Sequence, residues 1–84
     1  LKRLYLGYND LCELPDTMSS LTVLEVIELQ HNKLAALPSW MGHLTALKLI
    51  YLGRNDLRKL PDSMSCLTVL EVLDLQSNKF TALP

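Results

Sequence analysis

The stretch Leu24-Glu25-Val26-Ile27-Glu28-Leu29-Gln30-His31-Asn32-Lys33-Leu34 decides how this chain folds. Its pattern is L-x-x-I-x-L-x-x-N-x-L. The same spacing returns at Leu1, Leu4, Leu6, Asn9 and Leu11, then at Leu47, Ile50, Leu52, Asn55 and Leu57. It returns once more at Leu70, Leu73, Leu75, Asn78 and Phe80. Each copy follows the last by 23 residues, as Leu1, Leu24, Leu47 and Leu70 mark. A fixed period of this size means stacked units, none of which can bury its apolar side alone. The 84 residues therefore divide into repeats 1–23, 24–46, 47–69 and a partial 70–84, one continuous solenoid domain.

Each repeat carries the same internal logic. Leu4 and Leu6 alternate with Tyr5, the period of a short strand with one buried face. Such a strand persists only in parallel with its neighbours, where it gains ladder hydrogen bonds. The asparagines Asn9, Asn32, Asn55 and Asn78 follow the strands. Their amides can satisfy backbone groups freed by the bend, so we expect a buried polar ladder. Leu11 and Leu14 continue the inward spokes, and Pro15 redirects the chain. Met18, Leu21 and Leu24, three apart, suit a short helix or a 3₁₀ turn on the outer side. Asp16, Ser39 and Asp62 recur at its start as expected N-cap residues. Trp40 is expected to pack against a neighbouring turn.

Written out, the unit is L-x-x-L-x-L-x-x-N-x-L-x-x-L-P-x-x-M-x-x-L-T. On these residues the chain resembles the leucine-rich repeat proteins over its whole length. The 23-residue unit is similar to the intracellular Ras-signalling scaffold type of Scribble, Erbin and plant Ras-group proteins. The resemblance implies an α/β fold: a right-handed solenoid with a short parallel sheet on its concave side. Loops and short helical or 3₁₀ turns would form the convex side. Repeats also alternate in pairs. Repeats 1 and 3 share Tyr-Leu-Gly and Asn-Asp-Leu, whereas 2 and 4 share Leu-Glu-Val, Leu-Gln and Asn-Lys, so the true unit spans two repeats.

Composition narrows the function. A net charge of −1 gives no push toward nucleic acid or membrane surface. No apolar run approaches the roughly 18 residues of a membrane span. The two cysteines, Cys12 and Cys66, occupy different repeat positions two turns apart, beyond expected disulfide reach. Free thiols suit a reducing compartment, and we expect a cytoplasmic protein. Polar caps belong at solenoid ends, and their absence here predicts an excerpt of a longer protein. His31 and His43 lack companions at metal-ligand spacing, and Gly7, Gly42 and Gly53 form no phosphate loop. No catalytic residues, metal, cofactor or small-molecule substrate are expected.

Function is then expected on the outward positions of the strands. The third column reads Arg3, Val26, Leu49 and Val72; the fifth reads Tyr5, Glu28, Tyr51 and Asp74; the eighth reads Tyr8, His31, Arg54 and Ser77. The second column, Lys2, Glu25, Lys48 and Glu71, alternates in sign and is expected to pair with itself. Val26, Leu49 and Val72 form an apolar stripe where the fold does not demand one. Tyrosine and arginine beside it are residue types that recur as interface anchors. We expect non-enzymatic recognition of a protein or peptide through Tyr5, Tyr8, Val26, Glu28, His31, Leu49, Tyr51, Arg54, Val72 and Asp74. Two rival readings share the same repeat. One is the targeting arm of a multidomain kinase, GTPase, phosphatase or ubiquitin ligase; the other is a structural or designed module with no natural partner.

Overall fold

The computed structural model describes residues 2–80. Four three-residue strands, β1 (Arg3–Tyr5), β2 (Val26–Glu28), β3 (Leu49–Tyr51) and β4 (Val72–Asp74), form one parallel sheet in chain order. The register sets each repeat position against itself: Leu4, Ile27, Ile50 and Leu73 lie in one row. The expected inward and outward alternation holds, with Ile27 and Ile50 fully buried and their strand neighbours on the open face. Backbone pairing runs past the strands. Leu6, Leu29 and Leu52 donate to the carbonyls of Glu28, Tyr51 and Asp74, each at 2.8 Å.

The side away from the sheet is built from three 3₁₀ turns, η1 (Asp16–Ser20), η2 (Ser39–His43) and η3 (Asp62–Cys66). The spacing of three in the sequence is the spacing of their hydrogen bonds. Met18 donates to Pro15 O, Leu21 to Met18 O and Leu24 to Leu21 O, at 3.0–3.1 Å, and the next two repeats do the same. Asp16, Ser39 and Asp62 are not the caps expected of them. The caps are Pro15, Pro38 and Pro61, extended at φ near −69°, and no side chain bonds the turn's N–H groups. The proline carbonyl already accepts the first bond, so the side-chain oxygen is left to other partners. Asp16 uses one on the next repeat: its Oδ1 accepts from Trp40 Nε1 at 3.2 Å. Trp40 thus packs against the neighbouring turn, as expected, and leans on the core.

The core is deepest in the two middle repeats. Leu24, Ile27, Leu29, Leu34, Met41, Leu44, Leu47, Ile50, Leu52 and Leu57 are fully buried. Leu4, Leu6, Leu73 and Leu75 of the outer repeats are only partly covered. The asparagine ladder follows the same gradient, which corrects the expectation of four buried members. Asn32 and Asn55 are buried, Asn78 is half-buried and Asn9 is exposed. Turns η2 and η3 meet at Gly42, where a side chain would run into the Ser63 carbonyl and stand 2.6 Å from Ser63 Cβ. The repeat-closing Leu83-Pro84 pair lies outside the described residues.

Charge pairing falls in a different column from the one expected. Among the described residues, the alternating Lys2, Glu25, Lys48 and Glu71 make no ion pair within 4.0 Å. The pairs are Asp10–Lys33 at 3.7 Å and Asp56–Lys79 at 3.2 Å, both at the tenth repeat position and both exposed. At the second position the chain is still bending into the strand, and Lys2 O takes both the Glu25 and Val26 N–H groups. Long side chains there gain little from ordering against each other in water. Cys12 and Cys66 are both free and exposed.

Candidate functional site

The outward face of the sheet is organised by what happens just after each strand. Tyr8, His31, Arg54 and Ser77 all have φ of 58–60°, a left-handed backbone at four non-glycine residues. Such residues are uncommon, because Cβ crowds the backbone there. Here the conformation is held from both sides. The N–H groups of Tyr8, His31 and Arg54 donate to the carbonyls of Gln30, Gly53 and Gln76 in the following repeat, at 2.9–3.0 Å. The next residue is the ladder asparagine, which ties the bend down. Asn55 Nδ2 donates to Leu29 O at 2.9 Å and Leu52 O at 3.1 Å, while its Oδ1 accepts from Leu34 N–H at 3.0 Å. This turn was not foreseen, since nothing in Tyr, His, Arg and Ser as a set marks a left-handed position.

The consequence is a cleft of about 360 Å³ beside the loop ends of the strands, lined by Tyr8, Glu28, Gln30, His31, Tyr51, Gly53, Arg54, Asp74 and Gln76. It brings together six of the ten expected partner-binding residues: Tyr8, Glu28, His31, Tyr51, Arg54 and Asp74. The other four do not line it. Val26, Leu49 and Val72 are register neighbours across β2–β4, forming the expected apolar stripe on the same face. Tyr5, on β1 opposite Glu28, is exposed. Tyr8 stacks on His31 with ring centroids 4.2 Å apart and planes 14° from parallel. That stack covers one face of each ring.

Three lining residues were missed: Gln30, Gly53 and Gln76. The signal was available, because the seventh position alternates Gly7, Gln30, Gly53, Gln76 in step with the paired repeat. The alternation has a steric cause. A Cβ on Gly7 would stand 3.0 Å from the Gln30 amide, and one on Gly53 would stand 3.2 Å from Gln76 Cγ. Each glycine leaves room for the glutamine of the next repeat. Each glutamine in turn holds an acid two residues before it. Gln30 Nε2 donates to Glu28 Oε1 at 3.2 Å, and Gln76 reaches Asp74 through its backbone N–H at 3.2 Å and its amide at 3.4 Å. Gln30 Oε1 is buried without a partner, so orienting Glu28 leaves one acceptor unsatisfied.

The face offers aromatic, acidic and basic contacts on a fixed frame, an arrangement suited to binding. Among the described residues, no cluster of three metal-ligating side chains is present, and no helix is long and apolar enough to cross a membrane.

Comparison with known proteins agrees with the architecture. No curated protein matches the sequence. A leucine-rich repeat protein of Leptospira interrogans superposes with a TM-score of 0.94 at 38% identity, covering 96% of this chain and 21% of that one. The chain thus spans about a fifth of that protein's length. The leucine rich repeat family model matches residues 35–80. Such domains generally mediate protein–protein interaction and are typically non-enzymatic. With more than half of its residues matched and all four asparagine turns in register, the chain belongs to the leucine-rich repeat family.

Proposed function

We propose that this chain is a non-catalytic recognition module that binds a protein or peptide on its sheet face, the concave side of a right-handed solenoid. The observation that carries this reading is the cleft of about 360 Å³ beside the apolar stripe Val26–Leu49–Val72. Large side chains are left in the open where the fold has no use for them. Tyr8 is 73% exposed and Val72 is 41% exposed. A partner covering this face would bury the aliphatic stripe with the polar cleft at its edge, the usual apolar-core and polar-rim anatomy of an interface. The exposed free thiols at Cys12 and Cys66 and the resemblance to Ras-signalling repeats favour an intracellular signalling scaffold.

The test is selection of binders from a random-peptide display library on the intact chain. Selected peptides should lose about thirtyfold in affinity for Tyr51→Ala, as expected when an anchor of about 2 kcal/mol is removed. They should bind Lys59→Ala, an exposed position off the sheet, as they bind the parent. Peptides indifferent to Tyr51→Ala and Val72→Ser would show that the sheet face is not the recognition surface.

A further inference from the structure

The fifth repeat position has a chemistry of its own. Across β2, β3 and β4 the register reads Glu28, Tyr51, Asp74. Neighbouring strands lie about 4.8 Å apart, so an aromatic residue stands between two carboxylates whose backbones are roughly 10 Å apart. All three line the cleft. Among the described residues neither acid is within 4.0 Å of a basic group, and the ion pairs sit at the tenth position. Both acids are nonetheless held in place, Glu28 by the Gln30 amide and Asp74 by two donors of Gln76. A carboxylate oxygen with one donor keeps further lone pairs for another.

We propose that Glu28, Tyr51 and Asp74 form a receptor for one arginine or lysine side chain of an extended partner segment. This rests on the sheet-face reading above and specifies the partner's chemistry. The cation lies beside the Tyr51 ring, attracted by its π-face, with a carboxylate on either flank. Each acid already accepts from a glutamine, so part of the side-chain freedom lost on binding is given up in advance. The cleft's own cation, Arg54, comes three residues after Tyr51, on the loop side. The cleft is therefore acidic along the strands and basic at the loop rim. A bound segment would turn its cationic side chain to the strands and its carbonyl oxygens to Arg54. Tyr5 offers a contrast within the same molecule, since its described strand neighbour is Glu28 alone.

The discriminating probe is a pair of blocked alanine peptides with arginine or citrulline at the centre. Citrulline keeps the shape and removes the charge. In NMR titrations at low ionic strength, the arginine peptide should shift the Tyr51 ring and the Glu28 and Asp74 carboxyl carbons saturably. Its affinity should exceed that of the citrulline peptide about tenfold, or about 1.4 kcal/mol. The Glu28→Gln, Asp74→Asn double variant keeps the hydrogen-bonding shape and should abolish the difference. Equal binding of the two peptides, no shift with the arginine peptide, or an arginine preference that survives in the double variant overturns the receptor. Display-selected peptides that still require Tyr51 would then leave the sheet-face reading standing without it. Peptides indifferent to both Tyr51→Ala and Val72→Ser would remove both.

Discussion

Replacing Asn55 by alanine is the sharpest test of what holds the repeats in register. The carbonyls it touches are shared. Leu29 O also accepts from Asn32, and Leu52 O also accepts from Asn78. Each therefore keeps a partner when Asn55 is shortened. The group left alone is the N–H of Leu34, whose residue is fully buried and whose acceptor is Asn55 Oδ1 at 3.0 Å. An orphaned buried donor costs about 1–3 kcal/mol. Two lost secondary bonds to carbonyls add roughly 0.5 kcal/mol each at the low end. Asn55→Ala should thus lower unfolding stability by about 2–4 kcal/mol. Asn9 supplies the control, being the same residue at the same repeat position. It is exposed and donates only to Leu6 O and Gly7 O in its own turn. Asn9→Ala should cost less than about 1 kcal/mol. Asn55→Asp keeps an acceptor for Leu34 but sets a buried charge against two carbonyls, so it should be at least as damaging as alanine. Urea unfolding followed by Trp40 fluorescence measures all three. Equal losses for Asn55→Ala and Asn9→Ala would refute the claim that burial of the ladder, rather than local turn formation, sets its worth.

Gly42→Ala should destabilise by about 1–3 kcal/mol, because its Cβ meets Ser63 backbone and η2 must move off η3; Gly7→Ala meets chiefly the movable Gln30 side chain and should cost less in the same urea titration. Ser77→Gly, at an exposed residue with φ of 58°, should leave stability unchanged or raise it by up to about 1 kcal/mol, since glycine adopts that backbone without strain. A clear loss of stability would show that the left-handed turn is not strained. Asp56→Asn breaks the exposed pair with Lys79 and should change stability by less than about 1 kcal/mol, with the difference fading as salt is added.

The solenoid was legible because one physical demand repeats four times. Leu24, Ile27 and Leu29 announce a strand with one buried face, and the period places its copies beside it. The helical spacing of Met18, Leu21 and Leu24 was equally readable, and the structure resolves it as 3₁₀ bonding from the proline carbonyls. Burial depth at the ends was not legible. Asn9 and Asn55 look identical in sequence, and only the presence of repeats on both sides makes Asn55 a buried member. The charge alternation at position two misled because sign alone says nothing of whether two side chains can be ordered together.

The site was half legible for a related reason. A column that faces the core is fixed by the fold, so it repeats with a period of 23. A column that faces solvent is free: Tyr8, His31, Arg54 and Ser77 share no residue type, whereas Tyr5, Glu28, Tyr51 and Asp74 alternate over two repeats beside Gly7, Gln30, Gly53 and Gln76. The two alternating columns are coupled through space. A glycine admits the next repeat's glutamine, and that glutamine holds the acid beside the tyrosine. These two columns therefore depart from the 23-residue repeat together, for one spatial reason. Gly53→Ala tests this coupling directly. It should loosen Gln76, and through it Asp74, while η2, η3 and the core stay as they are. The expected result is a weaker arginine preference at nearly unchanged unfolding stability; a preference intact in Gly53→Ala would show that the glycines are incidental to the site.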